Sequence, residues 1–313
     1  MKSSIICRMS KKEVKTITID EAKKQINAFG YPLAILFLLT SIAQYLYSYI
    51  QIDWITSNIE SISIATLIIL TIIFTFIIVL IADKKLDLQF KDYWINPNIS
   101  SQKIFNYIIL GLGILLLTTA ITSMFSFLAN ISTLQYSFVG NFKTQENIIN
   151  NILYCICFVL LKPISDEVIF RGIVQRQLGH YGRYFGVLGS AFLYALMQGN
   201  IVSAIPAFFI GWYFSLISLK YHSIKITLIT SIIIHLFAYL IDILPTNLLI
   251  ITTLLVLFIY IACIVILINK AVNTNMMRYG ATDGKLWKIL ITSPSIILFI
   301  IIFIFSQIFF IVI

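Results

Sequence analysis

Apolar segments of about 20 residues recur along this chain. A segment of that length can cross a bilayer only as a helix, because lipid offers no partner for unpaired backbone N–H and C=O groups. They fall at about 31 to 50, 61 to 82, 104 to 129, 150 to 176, 184 to 201, 202 to 219, 226 to 244, 248 to 269 and 289 to 311. With 59% hydrophobic and 11% charged residues, the chain belongs with polytopic membrane proteins and not with soluble domains. The expected fold class is therefore all-α, a transmembrane bundle of eight to nine spans, with the segments starting at 184 and 202 separated by almost nothing.

Charge placement tests that count, since basic residues collect on the cytoplasmic side of a multi-pass protein. The net charge of +9 is not gathered on one face, which argues against a nucleic-acid partner. Of the 22 lysines and arginines, 19 fall in the first 30 residues and in the loops 83–103, 176–183, 220–225 and 270–288. The opposite loops hold only Lys143, and Lys162 and Arg171 lie inside a span. This places the N-terminus in the cytoplasm and reads residues 1–30 as an uncleaved basic tail, with Asp20 to Phe29 as a short amphipathic surface helix. Heavy use of Ile, Lys and Asn points to a bacterial chain and to the plasma membrane. Four cysteines, Cys7, Cys155, Cys157 and Cys263, contain no C-x-x-C pair and suggest neither disulfides nor a thiolate metal site. Tyr45, Tyr47, Trp54 and Trp287 read as interfacial aromatics, and Lys91 to Gln102 as an interfacial anchor and turn.

The stretch Lys162 to Gly172 places Asp166, Glu167 and Arg171 within an apolar span, where ionisable groups are costly and usually mark a site. On an α-helix Glu167 and Arg171 stand one above the other and can pair, while Asp166 points elsewhere, on the face of Phe170. The same residues can equally serve only to tie helices together. Pro163 removes one backbone hydrogen bond a turn earlier and predicts a kink. At 1.5 Å per residue, Glu167, Gln198, His235 and Tyr239 lie roughly 15, 22, 15 and 21 Å from the cytoplasmic ends of their helices. Three helices thus bring an acid pair, an amide, an imidazole and a phenol to similar depth.

The order of these elements is informative. Asp166-Glu167-x-x-x-Arg171-Gly172 precedes Tyr194-x-x-x-Gln198, then Gly211 and Ser215, a turn at Tyr221 to Lys225, and His235-x-x-x-Tyr239. This resembles the CPBP family, the CAAX-processing and bacteriocin-processing intramembrane proteases also called Abi, over about residues 150 to 245. Gly30-Tyr31-Pro32 is similar to the start of many bacterial members. The resemblance divides the chain into the tail 1–30, N-terminal helices 31–149, a core 150–245 and C-terminal helices 246–313.

The family pattern is Glu-Glu-x-x-x-Arg, Phe-x-x-x-His and His-x-x-x-Asn or Asp. It implies that the first glutamate and first histidine activate water, and that the second histidine and the asparagine stabilise the oxyanion. By position these are Asp166 and Gln198, then His235 and Tyr239, with Glu167 and Arg171 matching directly and Tyr194 in the Phe position. Aspartate draws the carboxylate back by roughly 1.5 Å, and a misplacement near 1 Å can cost about a hundredfold in rate. Glutamine orients a water but cannot accept its proton, a loss of about 10²- to 10⁴-fold. Tyrosine at 239 can donate to an oxyanion or fill the space a substrate needs.

No metal or other cofactor is expected, since His180 and His222 lie in connections, only His235 lies in a span, and there is no H-E-x-x-H. The expected partner is a peptide or membrane protein, lipidated or not, in a site open to the cytoplasm, which is either cleaved or only bound. A transporter is the reading from another class, motivated by the charges within spans, but paired broken helices in two related halves are missing.

Overall fold

In a computed structural model of the protein, the residues described are 4–9, 13–49, 53–86, 88, 91, 93–128, 148–243, 249–271 and 284–312. The expectations for Lys143 and Arg278, and for the side chains of Cys7, Tyr45, Tyr47 and Trp54, lie outside what is described. Among the described residues the architecture is helical apart from one hairpin, in which β1 (Ser4–Met9) pairs antiparallel with β2 (Glu13–Thr18). The basic tail is thus partly structured.

Helix α1 (Ile19–Tyr49) starts at a reciprocal cap. Thr18 N donates to Glu21 Oε2 (3.1 Å) and Glu21 N to Thr18 Oγ1 (3.3 Å), which satisfies two otherwise orphaned donors. From there the chain runs without a break into the first apolar segment. The separate surface helix expected at Asp20 to Phe29 is therefore corrected: Ala22, Ile26, Phe29 and Leu33 recur at helical spacing and are buried. Gly30 is needed where it stands, because a Cβ there would come within 2.2 Å of the Ser295 hydroxyl.

Next come α2 (Asp53–Lys85) and α3 (Ser101–Leu128). Tyr93, Trp94, Ile95 and Asn96, between them, do more than anchor a turn. Tyr93 O accepts from Ile224 N (3.0 Å), Ile95 O from the Ser223 hydroxyl (2.6 Å), and Lys225 donates to Asn96 and stands 5.1 Å from the Trp94 ring. The buried Tyr93 ring packs on Gly172, where a Cβ would come within 2.9 Å of it.

The segment 148–179 is one composite helix. It passes through α4 (Ile148–Tyr154), a π-helical stretch π1 (Cys155–Leu161), α5 (Lys162–Asp166), a second stretch π2 (Glu167–Val174) and α6 (Gln175–Gly179). Instead of the simple kink expected at Pro163, the ladder widens on both sides of α5, with Lys162 N bonded to Cys157 O and Gln175 N to Phe170 O, each five residues back. Such stretches are rare and are frequent at functional sites.

The remaining helices are α7 (Arg183–Leu196), α8 (Ile201–Tyr221), α9 (Lys225–Ile243), α10 (Leu249–Ala271), α11 (Gly284–Ile291) and α12 (Pro294–Val312). Asn200 caps α8 by accepting from Ser203 N (2.7 Å), and His222, at φ 50°, ends it. The last apolar segment is not straight, since α11 and α12 meet at 70°. Trp287 packs edge-on against Phe185 and Phe192 of α7, at 5.4 and 6.4 Å.

Among the described residues, four helices are long and apolar enough to cross a membrane, in α1, α2, α3 and α8, or five if the bent pair counts as one. The structure supports several spanning helices and does not carry the count of eight to nine. The reason is local: α7 has 14 residues and 148–179 is divided by its widened turns, while the apolar runs in α9 and α10 are short of a full crossing.

One consequence concerns pH. Burial, and then the nearby Arg176 charge, hold His180 below its ordinary value of 6.5 in the folded chain. The unfolded chain then binds more protons, so this contribution is present at pH above 6.5 and falls as His180 is forced to charge in the acid range. Thermal unfolding scans from pH 8 to 5 are expected to show a loss on acidification that His180→Gln reduces.

Candidate functional site

The acids lie at the junction of α5 and π2. Arg171 Nη1 is 3.2 Å from Glu167 Oε1, with both side chains essentially sealed from solvent at 0% and 1% exposure. Arg171 Nη2 donates to Gly211 O of α8 (3.3 Å), and its guanidinium lies 4.6 Å from the Tyr194 ring and 5.4 Å from the Phe214 ring. Cation, carboxylate, carbonyl and two aromatic faces thus meet in a dry setting, in which Glu167 Oε2 and Arg171 Nε and Nη1 make no hydrogen bond among the described residues. Gly211 permits this approach, because a Cβ there would stand 2.8 Å from Tyr194 Cδ1 and 3.4 Å from Arg171 Nη2. One turn on, Gln175 Nε2 donates to Ser215 O (2.7 Å), repeating the step from Arg171 to Gly211.

Asp166, expected to be the acid without a local partner, is paired as well: Lys162 Nζ is 3.2 Å from its Oδ2. This second pair differs in access, with side-chain exposures of 27% for Lys162 and 11% for Asp166. Lys162 and Asp166 both lie within electrostatic reach of His235 on α9. His235 Nδ1 is 2.8 Å from Ser231 O. A carbonyl only accepts, so Nδ1 carries the proton, and in the neutral ring Nε2 is the acceptor nitrogen.

The other positions are less convergent. Thr227, whose hydroxyl donates to Ile224 O (2.9 Å), stands beside the Glu167 carboxylate, two turns before His235. Tyr239, one turn beyond His235, lies within reach of Cys155. The amide of Gln198 folds back on its own helix and donates to Tyr194 O (3.2 Å). Glu167, Arg171 and Tyr194 therefore form one group, Asp166, Lys162 and His235 a second, and Gln198 and Tyr239 flank them. Among the described residues no three His, Cys, Asp or Glu side chains converge to hold a metal ion.

Some contributors were not singled out from sequence. Ser306 Oγ and Gln307 Nε2 of α12 both donate to Gly199 O, at 2.7 and 2.9 Å, and Gln307 Oε1 accepts from Ile201 N (3.0 Å). They clamp the turn that carries Gln198, where Gly199 has φ 80°. The signal was present as two adjacent polar residues in an otherwise apolar segment. Gln307→Leu is expected to destabilise the protein by about 1–3 kcal/mol, with the largest rise in hydrogen exchange at residues 198–201 by mass spectrometry. Thr75 and Ser165 likewise join α2 to α5 through hydroxyls 2.6 Å apart, directly before Asp166.

Residues 148–241, which hold both acids, Arg171, Gln198, His235 and Tyr239, match a family model described as type II CAAX prenyl endopeptidase Rce1-like. No curated protein and no solved structure matches the sequence. Over residues 148–241, less than half of the chain, the protein is therefore similar to the CAAX proteases of the CPBP family, and several of its helices are long and apolar enough to cross a membrane.

Proposed function

We propose that this protein is a multi-pass protein of a bacterial plasma membrane whose CAAX-protease core binds a peptide or a membrane-protein segment without cleaving it. The N-terminus lies in the cytoplasm and the site opens to that side, a placement supported by the 19 basic residues on one set of loops. The shorter and interrupted helices complete eight to nine crossings. One observation carries the binding role: each carboxylate of the acid pair is held by a cation, while the residue in the proton-accepting position, Gln198, is an amide already donating to Tyr194 O. Such a site keeps polarity at mid-depth, but both of its carboxylates are already paired and the Gln198 position offers no group that can take a proton from water. Asp166 and Lys162, the more accessible pair, are the groups that meet the bound chain.

The test is fluorescence anisotropy of lipidated and unlipidated leader-like peptides with the purified full-length protein. Saturable binding weakened by Asp166→Asn is expected; no binding by any peptide in the panel contradicts the proposal.

A second reading, hydrolysis, is favoured by the ring orientation of His235. With Nδ1 committed to Ser231 O, the neutral ring presents an acceptor, which suits removal of a proton from water better than support of an oxyanion. Peptide turnover abolished by His235→Ala and kept by Gln198→Ala would establish that reading.

A further inference from the structure

A second polar cluster lies away from the acids, where the first turns of α3 meet the last turn of α8. Lys220 Nζ donates to Tyr107 OH (3.2 Å) and stands 6.0 and 5.5 Å from the Tyr107 and Tyr221 rings. The two hydroxyls are 3.0 Å apart, and Tyr213 OH donates to Tyr107 O (2.9 Å), which fixes the buried Tyr107 from below. Lys103, in the first turn of α3, lies within electrostatic reach of the Tyr221 hydroxyl.

The charges here are not balanced. Among the described residues the ion pairs are Lys162 with Asp166 and Arg171 with Glu167, so no acid within 4.0 Å neutralises Lys103 or Lys220. Both lysines are exposed. Lys220 is nevertheless held by two rings and a hydroxyl, so an anion arriving there finds its ammonium already placed. The Tyr221 hydroxyl, 3.0 Å from that of Tyr107, can turn its proton to a ligand oxygen when Tyr107 is the donor of the pair. Two exposed ammonium groups and one hydroxyl at this helix junction match the needs of a phosphate.

We propose that this cluster binds a phosphate group presented by the headgroup of an anionic phospholipid. The phosphate source is argued from position. Both α3 and α8 are among the helices able to span a membrane, so the cluster lies where a span ends, on the side carrying most of the basic residues. Phe105, between the two α3 members, is 54% exposed and offers an apolar face to an acyl chain beside the phosphate. The site is independent of the acids and of whether the core cleaves peptides.

Native mass spectrometry of the full-length protein in neutral detergent tests this with phosphatidylglycerol, phosphatidylcholine and inorganic phosphate as probes. Selective retention of phosphatidylglycerol is expected, weakened at least tenfold in Lys103→Gln/Lys220→Gln and unchanged in Lys84→Gln/Lys85→Gln, two basic residues of the same side outside the cluster. Tyr221→Phe keeps the ring and guards against a folding artefact; it is expected to weaken retention on its own. Competition by millimolar inorganic phosphate with no preference for the lipid would assign the site to a soluble phosphate and overturn the lipid source. Equal losses in both double-lysine variants, or equal retention of phosphatidylcholine, would reduce the effect to diffuse charge and overturn the site.

Discussion

Arg171→Met is expected to cost about 3–5 kcal/mol of folding stability, because it strands the Glu167 carboxylate in a sealed setting. The loss exceeds that of one ion pair, since the guanidinium also donates to Gly211 O and fills the space between the Tyr194 and Phe214 rings. Arg171→Lys is expected to recover only part of it: an ammonium cannot stack flat on two rings while bonding a carboxylate and a carbonyl. The combined Glu167→Gln/Arg171→Met variant should be more stable than Arg171→Met alone, because the stranded charge is gone. Thermal unfolding in detergent, followed by intrinsic fluorescence, measures all three. A loss below about 1 kcal/mol for Arg171→Met would mean that water reaches Glu167 and that the pair behaves as a surface one.

Restoring the family's site chemistry is expected to have the second large effect. The combination Asp166→Glu, Gln198→His and Tyr239→Asn returns the longer carboxylate, the proton acceptor and the small donor to their positions. Hydrolysis of a bound peptide should then rise by about 10²- to 10⁴-fold, the usual worth of acid-base assistance. Gln198→His alone should recover only part of this, because Asp166 would still be short and held by Lys162. The histidine must also turn away from Tyr194 O, which now receives the Gln198 amide. Peptide fragments quantified by mass spectrometry over equal times give the comparison. No rise in the triple variant would contradict side-chain identity as the cause of the proposed lack of turnover.

The helical architecture was legible because lipid leaves few options to apolar runs of such length, and the Glu167 to Arg171 pair because four-residue spacing survives even in a widened turn. The widening itself was hidden. Pro163 signals a lost hydrogen bond but not whether the ladder kinks or shifts to five-residue bonding, a choice made by packing. The partner of Asp166 was legible too, since Lys162 stands four residues before it on the same helical face. The depth estimate put Gln198, His235 and Tyr239 in one layer by assuming straight helices of equal offset. In the structure Thr227 stands beside Glu167, and His235 is nearer the Lys162 and Asp166 pair, so the offset differs by helix. The reach of Ser306 and Gln307 into the turn after α7 depends on two elements over a hundred residues apart, and no local pattern encodes such a meeting.

The core over residues 148–241 is proposed to bind without cutting. The most direct measurement places the wild-type protein in liposomes with a fluorescent leader-like peptide and follows both bound fraction and peptide mass in the same sample. Saturable binding with the peptide mass unchanged over many hours is the predicted result. Multiple turnovers by the wild type, lost in Asp166→Asn and in Glu167→Gln while binding persists, would contradict the claim and show an acid-dependent protease working with an altered motif.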